Sequence, residues 1–118
     1  MANPSKRKGS AFELDVVRYL QANGHPYAER TYGAGRPDDR GDIDGIPGWV
    51  IECKNEKSTD LAGWCTEAAA EAVNARRSWW AAIAKRRNRP VCDSYVVMTL
   101  AQFARLVGDS PATEVGAA

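Results

Sequence analysis

Pro47-Gly48 separates two short stretches that alternate apolar and polar residues, and this punctuation restricts the middle of the chain more than any other feature. Asp42–Ile46 and Trp49–Lys54 read as the two strands of a β-hairpin turned at Pro47-Gly48. Strand side chains point alternately to opposite faces. Glu52 and Lys54 therefore share a face with Val50, while Trp49, Ile51 and Cys53 point the other way, into a core. The polar face gathers Asp42, Glu52 and Lys54. Asp44, two residues from Asp42, shares its face and is an alternative metal acid, although an Asp before Gly45 also suits an Asx turn. Two converging carboxylates hold a hard divalent cation through oxygen. A lysine beside them orients or deprotonates a metal-bound water, which is equipment for cutting a phosphodiester.

The elements around the hairpin follow from periodicity and breakers. Ser10 with Glu13 has capping-box spacing and opens a helix over about residues 11–22, closed by Asn23-Gly24. Glu13 falls inside the apolar arc of Phe12, Val16, Val17 and Leu20, so it is either a first-turn cap or an acid aimed at the sheet. Residues 25–32 alternate loosely as a first strand, with His25 at its edge. Residues 33–41 form a loop rich in breakers, where Arg36 and Arg40 are candidate phosphate contacts. A second helix runs from Ser58, Thr59 or Asp60 to about Arg77. Its expected inward stripe is Leu61, Cys65, Ala68, Ala69 and Ala72, which leaves Glu67 and Glu71 in solvent. Trp79–Ala84 and Ser94–Met98 are further strands. Thr99 caps a final helix over 100–107, with Leu100, Phe103, Ala104 and Val107 expected inward.

The order is α-β-β-β-α-β-β-α. A helix connecting two strands makes them parallel, and the hairpin is antiparallel, so a mixed sheet flanked by helices is expected. At 118 residues this is one domain, assigned to residues 9–107, between a flexible basic arm at 1–8 and a disordered tail at 108–118. No apolar run approaches the roughly 20 residues of a membrane span. The basic start lacks the apolar stretch of a secretory signal. Three cysteines without a CxxC pair argue against a disulfide framework or zinc site and for a reducing, cytoplasmic setting. The net charge of +1 is uninformative, but its distribution is not. Lys6, Arg7 and Lys8 cluster at the start, and Arg76, Arg77, Lys85, Arg86, Arg87 and Arg89 form a second basic run without an acid. Basic surface flanking an acidic centre suits a polyanion cut at a metal site.

Asp42, nine residues, then Glu52-x-Lys54 resembles the signature of the PD-(D/E)xK nucleases. Gly41-Asp42-Ile43, Glu52-Cys53-Lys54 and Lys8-Gly9-Ser10-Ala11-x-Glu13 resemble the Holliday-junction resolvase branch known from archaea and some phages. The resemblance covers about residues 8–107 and implies a restriction-endonuclease-like α/β core. It favours Asp42 over Asp44 as the metal acid. It also implies that Asp42, Glu52, the Cys53 carbonyl and Glu13 bind Mg²⁺ (with Mn²⁺ as a substitute), that Lys54 positions the attacking water, and that Lys85 lies near the active centre. The implied activity is Mg²⁺-dependent, structure-specific cleavage of branched DNA, above all four-way junctions. Lys6, Arg7, Lys8, Arg36, Arg40, Lys85, Arg86, Arg87 and Arg89 would hold DNA phosphates. Paired incision implies a C2 homodimer, with Trp64, Trp79 or Trp80 as anchors. The alternatives are another nuclease of this fold (nickase, flap or repair endonuclease) and a DNA-binding module without catalysis.

Overall fold

The structure, a computed structural model, describes residues 4–31 and 41–109, with side chains from Gly9 to Thr31 and Gly41 to Gly108. The elements are α1 (Pro4–Ala22), β1 (Glu29–Arg30), β2 (Ile43–Asp44), β3 (Trp49–Lys54), α2 (Leu61–Asn74), β4 (Trp79–Ala84), β5 (Tyr95–Val97) and α3 (Leu100–Asp109), with a 3₁₀ turn at Val91–Asp93. One five-stranded sheet has the order β1-β2-β3-β4-β5. β3 and β4 are parallel over six residue pairs, from Trp49↔Trp79 to Lys54↔Ala84, and the other neighbours are antiparallel. The α/β class, the element order and the mixed sheet agree with the sequence reading.

β3 and β4 have the expected limits because alternation and turn residues mark both ends. Elsewhere local chemistry shifts the boundaries. α1 begins at Pro4, ahead of the expected cap, because proline is tolerated in a helix's first turn. Helix therefore continues through residues read as a loose arm, and the Ser10 hydroxyl accepts a hydrogen bond from Arg30 instead of capping. β1 shrinks to two residues because His25 to Ala28 form a turn, closed by Ala28 N–H to the His25 carbonyl at 3.1 Å. α2 is capped by Asp60, whose carboxylate accepts from Gly63 N–H at 3.0 Å. Gly45, with φ +86°, packs so closely on the turn before β1 that a Cβ there would overlap the Tyr27 carbonyl.

The sheet has two unequal apolar layers. On the α1 side, Phe12, Val16 and Val17 pack on Ile43 and Ile51, joined by Leu20, Ile46, Trp49, Cys53 and Ile83. Truncating Ile43 to alanine would cost about 2–5 kcal/mol, since its side chain is fully buried. The α2 side is thinner: Trp64 packs on Ala82, Ala84 and Val97, and the small side chains of Ala68 and Ala72 let the helix lie close to the strands. The inward stripe of α2 is thus Trp64, Ala68, Glu71 and Ala72: Ala68 and Ala72 are inward as expected, with Trp64 and Glu71 in place of Leu61, Cys65 and Ala69. Trp64 has the largest area to bury, and it sets the helix rotation.

α3 also differs from expectation. Leu100, Phe103, Ala104 and Val107 face solvent, and Gln102 is the residue turned inward. Trp79 stacks on Trp49 with centroids 5.7 Å apart, and the Arg105 guanidinium covers its ring at 4.4 Å. Among the described residues no helix is long and apolar enough to cross a membrane.

Candidate active site

β3 is the middle strand, and its two faces receive different chemistry. Ile51 and Cys53 point to the α1 core, and Glu52 and Lys54 point to α2. The alternation read from the sequence is therefore present, but the face carrying Glu52 and Lys54 is roofed by a helix.

Asp42 reaches β3 by another route. Ile43 pairs with Ile51 in the antiparallel ladder, while Gly41, ahead of β2, makes a separate parallel-type bridge to the same residue, so regular antiparallel register does not continue through Asp42. Gly41 has φ +85°, and a Cβ there would lie 2.7 Å from the Ile51 carbonyl oxygen, a position only glycine occupies without strain. Between Gly41 and Ile43, Asp42 N–H donates to the Ile51 carbonyl at 2.7 Å. The Asp42 carboxylate accepts from Cys53 N–H at 2.8 Å, in place of a ladder bond. A strand residue's N–H and C=O project to the same neighbour. The Cys53 carbonyl therefore also faces the β2 edge, where the Asp42 carboxylate sits. In regular antiparallel register Asp42 would stand opposite Glu52 on one face; here Asp42 approaches β3 from the strand's edge and Glu52 leaves from its α2 face.

Glu13 lies on the Asp42 side. Burial, and next the charge of Asp42, raise its carboxyl pKa above the ordinary glutamate value. Arg30 opposes that rise through an ion pair at 3.3 Å. Glu13 is thus an acid aimed at the sheet and not a cap, since the helix starts two turns earlier. The Cys53 thiol is pushed far above the usual thiol range by burial and by the charges of Asp42 and Glu13. It remains neutral, and it serves as packing, as read from the sequence.

The α2 face brings beside Glu52 the two helix acids that sequence reasoning assigned to solvent: Glu67 is exposed as expected, and Glu71 is buried. One carboxylate oxygen from each of Glu52, Glu67 and Glu71 lies within 4.8 Å of the others. Glu52 is 5% exposed and Glu71 9%. Lys54 Nζ is 2.7 Å from Glu67 and its side chain is largely buried. Glu67 and Glu71 are neighbours one helical turn apart, directly over the strand. The Glu-x-x-x-Glu spacing on the helix that crosses from β3 to β4 was the available signal. Opposite ligand oxygens around one ion stand about 4.2 Å apart for Mg²⁺ and about 4.8 Å for Ca²⁺, so the triad suits a single hard cation. The Asp42 carboxylate and Cys53 carbonyl are hard donors of the same type, so both groups fit such an ion by donor chemistry.

Asp44 is not among these donors: it pairs with Arg77 at 3.3 Å, and Arg77 also donates to the Trp49 carbonyl at 2.7 Å. This tie fastens the end of α2 to the hairpin. Beyond the carboxyl ends of β3 and β4 lies a polar cleft of about 570 Å³, lined by Asn55, Lys57, Lys85 and Arg87 among others. An adjoining pocket reaches from Lys85 down to Lys54. Of the second basic run, Lys85 and Arg87 line this cleft. Arg89 is engaged by Asp93 at 2.8 Å, and Arg86 lies over the Tyr95 ring at 5.8 Å. Lys6, Arg7 and Lys8 belong to the first turns of α1, and their side chains, with all of Arg36 and Arg40, lie outside the described residues. Trp64 is buried and bonded through Nε1 to Glu56, which removes it as an interface anchor. No family model, curated protein or solved structure matches the chain.

Proposed function

We propose that this chain is a divalent-metal-dependent endodeoxyribonuclease with a restriction-endonuclease-like core, acting on branched DNA and resolving four-way junctions. The observation that carries this reading is the Asp42 carboxylate fixed on the Cys53 amide, at the strand that presents Glu52 and Lys54. Asp42, the Cys53 carbonyl and Glu13 at the β2 edge of β3, or Glu52 with Glu67 and Glu71 under α2, would hold Mg²⁺, or Mn²⁺ in its place. When bound, the ion polarises a phosphate and lowers the pKa of its water. Lys54, its ammonium oriented by Glu67, sits at the inner end of the cleft and offsets the charge that builds on the phosphate in the transition state. Lys85 and Arg87 line the cleft where the flanking backbone would run, a contact without base readout and with steep salt dependence. Ligand sites beyond the carboxyl ends of parallel strands are common in α/β sheets. Symmetrical incision of both strands calls for a two-fold dimer.

The test is cleavage of a labelled four-way junction beside matched duplex, flap and single strand, with Mg²⁺ or EDTA. Paired nicks on the junction alone, lost with EDTA and in Glu52→Ala and Lys54→Ala, are the expected result. Equal cutting of duplex and flap would keep the nuclease and discard the junction preference. Binding without cutting would make the chain a DNA-binding module whose acids serve structure. Asp42→Asn against Glu71→Gln assigns the ion: loss in the first alone places it at the β2 edge of β3, and loss in the second alone places it under α2.

A further inference from the structure

β5 runs beside the end of β4 and carries an aromatic ring to the rim of the cleft. Tyr95 pairs with Ala84, and Val97 with Ala82, so both share the α2 face of the sheet with those alanines. The small side chain of Ala84 leaves room between Tyr95 and the first turn of α2. The result is a pocket of about 350 Å³, lined by apolar Leu61, Trp64, Ala84 and Tyr95 together with the cations Lys54 and Lys85. Glu56, Thr59 and Lys85 line both this pocket and the larger cleft, so the two are continuous. Trp64 is buried, but Tyr95 and Leu61 are 55% and 52% exposed. Arg86, which is outside the pocket, backs the Tyr95 ring with its guanidinium at 5.8 Å. The acid of the lining, Glu56, is turned to the Trp64 indole, accepting from Nε1 at 3.1 Å. Lys85 and Arg87 are exposed at the mouth.

We propose that this pocket receives one unpaired nucleotide of a DNA strand, its base stacked on Tyr95 against Leu61 and its phosphate at Lys85. The lining has the two halves of a nucleotide: an open aromatic face for the base, and ammonium groups for the phosphate. The cations of the cleft draw in the polyanion, and the apolar wall then takes the group that a strand can offer it. The volume is at the lower end of the range for small-molecule sites, room for one nucleotide and not for a base pair. A base held in a duplex stack cannot reach Tyr95, so the nucleotide must leave the stack to enter. That costs least where a base is mismatched or already single-stranded. Stacking tolerates any base, so the pocket reads an open strand and not a sequence. The inference rests on the nuclease reading for the presence of a strand in the cleft. It adds the form that strand takes there: at least one base out of its pair.

The experiment is equilibrium binding, in EDTA so that nothing is cut, of two labelled four-way junctions that differ in a single group. Both carry an unpaired residue at the exchange point, an adenine in the first and an abasic residue in the second. The wild type is expected to prefer the adenine by roughly 5- to 150-fold, the value of one base–aromatic stack. Tyr95→Ala is expected to bring that ratio to about one. Tyr95→Phe is expected to keep it, since the ring and not the hydroxyl supports the base. Leu61→Glu, which sets a carboxylate in the apolar wall, is expected to lower the ratio too, and it decides should Tyr95→Ala lose its fold by circular dichroism. A wild-type ratio near one would overturn the proposal, and so would a ratio that survives both Tyr95→Ala and Leu61→Glu. Deoxyadenosine monophosphate that abolishes the ratio at tens of micromolar would also overturn it, by assigning the pocket to a soluble nucleotide. Junction cleavage with Mg²⁺ beside a ratio of about one would sink this inference alone. The expected ratio without cleavage would sink the nuclease reading alone, and no affinity for either junction would sink both.

Discussion

α2 and α3 lie against the same sheet and invert one another. α2 turns its small apolar residues and Trp64 inward and brings Glu71 with them. α3 turns a glutamine and an arginine inward and leaves its apolar ridge outside. Each helix buries a polar side chain, for different reasons. Glu71 sits over Glu52, where like charges crowd and a cation would relieve them. Gln102 completes the hydrogen bonds of a strand that ends too soon. A buried polar group can therefore mark either chemistry or backbone completion, and what it faces tells which.

The largest effect tests the chemistry. Glu52→Ala is expected to reduce junction cleavage by roughly 10²–10³-fold or more, measured in single turnover, because it removes a carboxylate that would hold the ion which offsets charge at the reacting phosphate. If α2 only roofs the site, Glu71→Gln should keep cleavage within about tenfold in the same assay. Next comes backbone completion. Gln102→Leu leaves the N–H and C=O of Trp80 without their amide, at about 2–4 kcal/mol in urea unfolding. Phe103→Ser beside it should change the stability by no more than about 0.5 kcal/mol in the same unfolding measurement, since Phe103 faces solvent. A smaller effect concerns the acids under α2. Addition of Mg²⁺ or Ca²⁺ should raise the melting temperature of the wild type, and Glu71→Gln should reduce that rise if the triad is the ion's site.

The smallest expected effect is a pH dependence on the other side of β3. The folded-state pKa of Glu13 is raised above 4.5, so Glu13 holds its proton to higher pH than in the unfolded chain. Its contribution to stability is full below 4.5 and is lost as pH rises through the folded value. A cation bound there must displace that proton. Metal affinity should therefore climb with pH across the same interval, and Glu13→Gln should flatten the climb in calorimetric titrations.

How much was legible depended on how local the cause was. β3 and β4 were readable to the residue, because alternation and flanking breakers act within a few positions. The parallel crossover followed from the intervening helix. Two features were not readable. The split of Asp42 from Glu52 depends on the break in antiparallel register at Gly41, and the spacing of the motif is the same with or without it. The rotations of α2 and α3 depend on what each helix meets. Periodicity shows that a helix has two faces, but not which face the sheet takes. For α2 the volume of Trp64 decided; for α3 the open edge of β4 decided, a deficit that exists only after the sheet has formed.

The amide of residue 53 adds a last point. It is the N–H that seats Asp42, while the thiol lies in the α1 core and stays protonated. Residue 53 therefore contributes to the site through a group that nineteen of the twenty amino acids share. A change there to alanine, serine or valine would be read by the core as a question of volume and by Asp42 not at all. Proline alone would unseat the acid, and it would do so without altering a single charge.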